Sequence, residues 1–329
     1  MRLWLTAVIQ MNEAIEEAGA VSFGNFGQEC LYYWARLPNR MVFAGLAVAW
    51  CLLFQFFGWT SNVAGQTDSL FSWMWDKWSD PANDSSHGKL IPIVVLVLLW
   101  MRRKRLAQSF RGIWWPALGG LALALALHVV GFVVQQPRFS MVALFFGAWV
   151  LAGLVWGRET MKVSFFPFFI FAFCVPMGGT FAQGLTLHLR VFAAQGAYFI
   201  THGLLDVRVE RVGTRLFDPS GVYGNFDVAA ECSGIRSFVA LLAITTIFSV
   251  LTMRTVWRRA VMLTATIPLA LICNIIRVTT IILAANACKT QAAGQTVDRY
   301  FGYVTYCMAI AGVLLLARLL KEKPMVKSP

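Results

Sequence analysis

The feature that most constrains this chain is a series of long apolar segments separated by shorter polar ones. A helix needs about 20 mostly apolar residues to cross the hydrocarbon core of a membrane. Seven segments reach or approach that length, and an eighth, at residues 90–101, is shorter and ends at a basic cluster. We therefore predict about eight transmembrane helices, at residues 41–57, 90–101, 112–135, 139–157, 163–181, 233–253, 260–285 and 300–318.

Composition agrees with lipid as the solvent for most of this chain. Hydrophobic residues make up 58% of the sequence and charged residues only 13%, whereas about 25% of the residues of a soluble domain are charged. We therefore predict an all-α polytopic membrane protein. Its domains are expected to be a cytoplasmic amphipathic segment at 1–40, an integral membrane domain at 41–320 and a basic cytoplasmic tail at 321–329.

The net charge of +12 is distributed unevenly along the chain. With the N-terminus in the cytoplasm, most Lys and Arg residues fall on the inner side, including those at 102–105, 258–259 and 321–327. This asymmetry is the usual signal of membrane orientation. We predict a multi-pass inner-membrane protein without a nucleic-acid partner, because topology accounts for the surplus charge.

The outer segment at 182–232 contains two local patterns. Residues 185–205 mix apolar side chains with basic ones, which is typical of an amphipathic surface helix. Residues 207–217 and 222–228 are β-prone runs on either side of an Asp-Pro-Ser-Gly turn, and they predict a small hairpin. Both elements are expected on the outer face, just before the sixth span.

Cys232 is the first candidate for chemistry, because it precedes the sixth span from the outer side. Free amides and the helix dipole at such a position favour a thiolate, and Arg236 one turn further on would stabilise it. In the structural alternative, Cys232 is an ordinary small buried residue and Arg236 extends to the interface. A disulfide between Cys232 and Cys288 is another alternative.

A second group of polar residues lies inside the seventh span. Asn274 and Arg277 are three residues apart and share a helical face. Arg277 lies roughly 12 Å from the outer end at 1.5 Å per residue, a depth that predicts a polar cavity or a partner. Arginine cannot act as a base, but it can stabilise a thiolate, bind a substrate carbonyl or neutralise an oxyanion. A structural hydrogen bond between helices is the alternative.

Two further motifs lie at the outer ends of spans. Asp298 and Arg299 come just before the last span, where an Asp is also an ordinary N-cap, and on the residues alone capping is the preferred interpretation of Asp298. His87, in a Ser-His-Gly motif before the second span, would bind substrate or cap a helix. Four scattered histidines have no metal-ligand spacing, so we predict no metal and no cofactor.

These motifs, taken in order, resemble the exosortase/archaeosortase family. The resemblance spans roughly residues 80–320, and it includes a middle segment at 166–176 that begins with Phe-Pro. The residues that carry it are His87 of the early motif, the run of Cys232, Ser233, Gly234 and Arg236, and the Asn274-x-x-Arg277 pair.

The resemblance implies a membrane cysteine protease or transpeptidase acting on secreted proteins. Such enzymes recognise a C-terminal sorting signal made of a short motif, a transmembrane helix and a basic end, and in exosortases the motif is Pro-Glu-Pro. Cys232 is the implied nucleophile, forming an acyl-thioester, and Arg277 is its implied partner. The site would face the periplasm, with His87, Ser233, Gly234, Arg236 and Asn274 in substrate-binding or supporting roles.

The third catalytic position departs from the family's pattern. Exosortases have a His four residues before a Gly in the last span, and here that position is Asp298, before Gly302. Archaeosortases use a second Arg in this role, and Arg299 is adjacent. Either residue, or an altered activity, fits the sequence.

Membrane lipid and an acceptor nucleophile of unknown identity are the other predicted partners. Two different classes of protein also remain open. A transporter would use Arg236 and Arg277 to line an anion pathway, and Cys232 would be dispensable. A non-catalytic assembly factor for envelope polysaccharide or protein export would need neither Cys232 nor Arg277 for activity.

Overall fold

The computed structural model describes residues 26–60, 67–80, 85–176, 180–221, 225–227, 234–253 and 255–320. These residues belong to two compact units that divide after residue 176. Helices dominate both units, and each unit also contains one small antiparallel sheet. The predicted all-α class of membrane protein is confirmed at this level.

The first unit is a succession of helices with short connections. A two-stranded sheet, β1 (Trp59–Thr60) with β2 (Thr67–Asp68), lies between the second and third helices. One 3₁₀ turn, Ser86–Lys89, precedes the fourth helix, and another, Ile170–Cys174, follows the last. The helices are α1 (Phe26–Arg36), α2 (Arg40–Phe56), α3 (Leu70–Ser79), α4 (Ile91–Met101), α5 (Arg103–Ser109), α6 (Ala117–Val133), α7 (Pro137–Trp156) and α8 (Arg158–Phe169).

The second unit combines long helices with a small sheet. Its first helix continues as a π-helical turn, Phe199–Leu204, and the sheet follows in the order β3, β4, β5. The helices are α9 (Thr180–Tyr198), α10 (Gly234–Thr252), α11 (Val256–Cys288) and α12 (Gln291–Leu319), and the strands are β3 (Glu210–Val212), β4 (Arg215–Phe217) and β5 (Asn225–Asp227).

The region predicted as a hairpin forms three strands in the structure. Gly213 has a φ of 63°, which lets the chain reverse inside the run predicted as one strand, and β3 pairs with β4 as a result. A turn follows in which the Gly221 N–H donates to the Asp218 carbonyl at 3.0 Å, and it leads to β5. Leu216 of β4 is fully buried in a core shared with α9 and α11. That burial fixes the sheet on the two helices.

Each of the eight predicted spans contains a helix, but fewer of these helices are long and apolar enough to cross a membrane. Among the described residues three qualify, and α1 with α2 make a fourth if this pair, bent by 102°, counts as one span. α8 ends at Phe169, two residues after Pro167, and the chain continues as the 3₁₀ turn Ile170–Cys174. The number eight therefore stays a prediction. The qualifying helices are Pro137–Trp156, Val256–Cys288 and Tyr300–Leu319, and shorter apolar ones are Ile91–Met101, Ala117–Val133 and Phe238–Thr252.

A glycine and a buried polar pair hold α2, α6 and α7 together. The ring of Trp50 occupies the space that a side chain on Gly147 would need, and its Nε1 donates to the Leu144 carbonyl at 3.0 Å. Next to it, Nδ1 of His128 lies 3.0 Å from the hydroxyl of Ser140. This histidine inside a predicted span is satisfied by its neighbours and is not part of the candidate site.

Candidate active site

The candidate nucleophile comes just before α10 in the sequence. Cys232 and Ser233 lie outside the described residues, and Gly234 is the first residue of α10. The side chains of Arg236 and Arg299 also lie outside the described part of the chain. The roles expected for these residues therefore stay predictions, and the geometry that follows concerns α11, α12 and their neighbours.

Arg277 and Asp298 form an ion pair between α11 and α12. Nε and Nη2 of Arg277 lie 2.8 and 2.7 Å from Oδ1 of Asp298. The two side chains are only 19% and 16% exposed. The pairing compensates both charges. A charge left unpaired at such a position would be strongly unfavourable.

Asp298 lies in the interior of α12, so its interpretation as an N-cap is wrong. The helix begins at Gln291, and the hydroxyl of Thr290 accepts the N–H of Ala292 at 3.3 Å as the actual cap. Asp298 follows about two turns later. Its carboxylate is directed at α11 instead of at its own backbone.

Gly302 lies one turn after Asp298 and makes room for the guanidinium. A Cβ on Gly302 would be 3.5 Å from both Cζ and Nη2 of Arg277, which is an ordinary van der Waals distance. A larger side chain would enter the space that the guanidinium occupies. Because they are four residues apart, Asp298 and Gly302 lie on one face of α12, and this face contacts Arg277.

Close packing beside the ion pair fixes the rotation of α11. Asn274 lies one turn before Arg277 and is half-buried. Its neighbour Ile275 packs on Gly196 of α9 so closely that a Cβ on Gly196 would lie 2.6 Å from Cδ1 of Ile275. Fully buried alanines of α9 belong to the same core as the C-terminal half of α11. This packing holds the helix that carries Arg277.

His87 belongs to the first unit, where it caps the end of a helix. Its Nε2 lies 2.9 Å from the carbonyl oxygen of Phe173, and Nε2 carries the proton because a carbonyl can only accept. Nε1 of Trp78 donates to the next carbonyl, that of Cys174, at 2.9 Å. These two side chains satisfy carbonyls at a helix end, which lack helical partners.

Two residues that the sequence analysis did not single out complete this helix end. Nε of Arg138 donates to the carbonyl of Pro176 at 3.0 Å, and Trp78 packs on Gly88 where a side chain would otherwise lie. Trp and Arg residues are common near membrane interfaces. The sequence therefore contained no indication that Trp78 and Arg138 bond the carbonyls at this helix end. The contacts join the early Ser-His-Gly motif to the middle segment at 166–176.

The cysteines and acidic groups elsewhere do not form a second centre in the described part of the chain. Cys288, at the end of α11, is a free and exposed thiol, and Cys174 and Cys273 are free and buried. Among the described residues no group of His, Cys, Asp or Glu has the geometry to hold a metal ion. Cys288 therefore serves as a natural control for Cys232.

A helical membrane protein with an arginine–aspartate pair between its last two helices is the class that the fold and the site define. A family model described as transmembrane exosortase (Exosortase_EpsH) matches residues 75–315. The chain belongs to this family. Comparisons with curated proteins and with solved structures found no match.

Membership in the transmembrane exosortase family implies a general type of activity. It makes the chain a multi-pass membrane protein and an enzyme of the cysteine transpeptidase type. Members act on secreted proteins that carry C-terminal signals. The matched range includes Cys232, Arg277 and Asp298.

Proposed function

We propose that this chain cleaves C-terminal sorting signals of the Pro-Glu-Pro type from exported proteins through an acyl-thioester on Cys232. Arg277 stabilises the charge that develops during the reaction. The observation that carries the proposal is the ion pair between Arg277 and Asp298. It holds a guanidinium in place within the family-matched region that also contains Cys232.

In the proposed topology eight helices cross the inner membrane. Residues 1–40 and 321–329 lie on the cytoplasmic side, and residues 41–320 form the integral membrane domain with the site facing the periplasm. The concentration of Lys and Arg in the inner segments supports this orientation. The substrate's transmembrane helix reaches the site laterally through the lipid, with its short motif at the outer surface.

The proposed reaction consists of two acyl transfers. The Cys232 thiolate attacks the scissile carbonyl carbon, a C–S bond forms, the C–N bond breaks, and the leaving amine takes up a proton from water at the membrane surface. An acceptor amine or water then attacks the acyl-thioester, a C–N or C–O bond forms, the attacking group releases a proton to the solvent, the C–S bond breaks and the thiolate returns. In both steps the carbonyl oxygen carries negative charge, which Arg277 stabilises.

Asp298 acts through Arg277 and not as an acid. An ionised carboxylate accepts hydrogen bonds and has no proton to donate, and Oδ1 of Asp298 already accepts from Nε and Nη2. Among the described residues Nη1 of Arg277 has no acceptor, which leaves it for the substrate oxygen. Asp298 is a positioning residue in this scheme. Side chains with proposed supporting roles are His87, Ser233, Gly234, Arg236, Asn274 and Arg299.

A co-expressed reporter tests the proposed activity. It carries a Pro-Glu-Pro motif, a transmembrane helix and a basic end at its C-terminus, and its size is followed by immunoblot. The wild-type enzyme is expected to shorten it and to leave intact a matched reporter with Ala-Ala-Ala in place of the motif. An inserted wild-type enzyme that leaves both reporters intact, or cuts both equally, contradicts the proposal.

Substitutions of Gly302 test the space around the guanidinium. Gly302→Ala is expected to keep most of the processing activity, because its Cβ makes only ordinary contacts with Arg277. Gly302→Leu displaces the guanidinium, and we expect a loss of about a hundredfold, as a shift of 1 Å at a site can cause. The reporter assay measures both rates.

The matched control for Gly302→Leu is Gly119→Leu. Gly119 also lies inside an apolar helix, but nothing would contact a Cβ placed on it. We expect normal insertion and processing from this variant. Equal activity of Gly302→Leu and Gly119→Leu would show that the space beside Arg277 does not matter.

Substitutions of His87 separate a capping role from proton transfer. His87→Ala removes the donor to the half-buried Phe173 carbonyl and is expected to lower the free energy of unfolding by about 1 kcal/mol, the usual net contribution of a hydrogen bond. His87→Gln retains an N–H donor and should restore most of the stability and processing. Thermal unfolding and the reporter assay measure the two effects.

The pH dependence of processing distinguishes the two roles of His87. A capping residue predicts the same pH profile for His87→Gln as for the wild type, since the amide does not titrate. His188→Ala, at an exposed histidine of α9, is the matched control and should change neither property. If the pH profile of processing loses one limb in His87→Gln but not in His188→Ala, proton transfer is assigned to His87.

A further inference from the structure

The first unit contains an opening with a mostly apolar lining. It is a pocket of about 530 Å³ formed by α1, α4 and α5. Residues at positions i, i+3 and i+4 of α1, with Leu37 just after the helix, form one wall, and an equivalent stripe of α5, with Phe110 just after it, forms another. Six representative lining residues are Tyr33, Trp34, Leu99, Trp100, Arg103 and Leu106.

The α1 wall of the pocket lies outside the region that matches the family, whereas α4 and α5 lie within it. The family match begins at residue 75, whereas the α1 wall (Phe26–Arg36) precedes it. The α1 wall is held in place by Arg103, which is 6% exposed and bonded through Nη2 to Glu29 at 3.0 Å. The guanidinium also lies 4.7 Å from the ring centre of Trp100 and 5.8 Å from that of Tyr33.

The lining of the pocket selects a hydrocarbon occupant. Among the described residues that line it, Arg103 is the one with a charge, and that charge is compensated by Glu29. Water needs two to four polar partners at such a site, and an apolar space left empty costs free energy in proportion to its volume. The volume falls within the range of roughly 300–1,000 Å³ that ligand pockets have. A flexible acyl chain meets these conditions.

The charge around the pocket selects the headgroup. Lys104 and Arg105 are exposed on α5, next to the lining residue Arg103, and Arg36 is exposed at the end of α1. In the sequences of α1, α4 and α5, Glu29 is the one acidic residue. Such basic surfaces at the inner side of a membrane attract anionic lipids.

We propose that this pocket binds one anionic phospholipid, with an acyl chain between α1 and α5 and the headgroup beside Lys104 and Arg105. The bound lipid completes the packing of α1 against α4 and α5. This site is independent of the proposed peptide chemistry.

Native mass spectrometry of the full-length chain in detergent tests the proposal. The protein is titrated separately with phosphatidylglycerol and with phosphatidylcholine of the same acyl chains. We expect one phosphatidylglycerol per chain, bound about tenfold more tightly than phosphatidylcholine, since each nearby Lys or Arg attracts an anionic headgroup. Equal binding of the two lipids would overturn the headgroup assignment and with it the proposal.

Two variants locate the bound lipid. Ala107→Trp fills the pocket, and the double substitution Lys104→Glu with Arg105→Glu reverses the charge, and both are expected to lower phosphatidylglycerol binding about tenfold. Leu123→Trp, at a 62% exposed position of α6 outside the pocket, should leave it unchanged. Unchanged binding in Ala107→Trp overturns the site. If that variant does not insert into the membrane, the comparison of the two lipids on the wild type and the charge-reversal variant decide instead. A wild type that binds no phospholipid would overturn the proposal and would leave residues 1–25 of the chain as the candidate occupant of the pocket.

Discussion

Replacement of Cys232 by Ala or Ser is expected to abolish processing of the Pro-Glu-Pro reporter, with a loss of about 10⁴-fold or more, as removal of a catalytic nucleophile typically causes. Alanine has no nucleophilic atom. Serine has a hydroxyl that is far less nucleophilic than a thiolate unless a base activates it. Immunoblots of the reporter, beside blots that establish equal amounts of inserted enzyme, measure the loss.

The matched control for these variants is Cys288→Ser. Cys288 is a free, exposed thiol at the end of α11, and we expect its replacement to leave processing at the wild-type rate. Full processing by inserted Cys232→Ala and Cys232→Ser would contradict the thiol mechanism. In that case the transporter and assembly-factor alternatives, which predict that Cys232 is dispensable, would take its place.

Removal of the Arg277 side chain is the change with the second largest expected effect. Arg277→Ala should slow processing by about 10²- to 10³-fold, the loss that follows removal of a group that stabilises an oxyanion. Arg277→Lys keeps the charge but not the planar fork that binds Asp298 through two nitrogens, so we expect an intermediate rate. The reporter assay with timed sampling gives the three rates.

A double-mutant cycle with Asp298 tests how Arg277 acts. If Asp298 only positions Arg277, Asp298→Asn slows processing in the wild type but adds nothing in the Arg277→Ala background. Tyr303→Phe, at a 75% exposed position on the same helix, is the control for insertion of α12 and should be silent. Additive losses in the double variant would mean that Asp298 has a separate role, and undiminished processing by both single variants would leave the pair a purely structural contact.

The helical framework was predictable because its signal is local. Apolar runs identified a helix in every predicted span, and the run at 260–285 lies within α11. The ends were not predictable where tertiary contacts or turns decide them. Gly213 splits the predicted strand at 207–217, and the 3₁₀ turn that follows Pro167 ends α8 inside the predicted span at 163–181.

The candidate site was predictable in its residues but not in its contacts. Position in a span and spacing singled out Arg277 and Asp298, yet the sequence favoured a cap for Asp298. A cap depends on where the helix begins, and α12 begins at Gln291 instead of near Asp298. The pairing of a side chain on α11 with one on α12 depends on helix packing, which no local pattern encodes. The caps from Trp78 and Arg138 were missed for the same reason.

The most direct test of the central claim is detection of the covalent intermediate. The wild-type enzyme is incubated with the reporter, quenched in acid and digested, and the peptide that contains Cys232 is examined by mass spectrometry. The proposed mechanism predicts the substrate fragment joined to Sγ of Cys232 through a bond that hydroxylamine cleaves, and its absence in Cys232→Ser. A fragment attached to another residue, or cleavage of the reporter by Arg277→Lys with no adduct on Cys232, would contradict it.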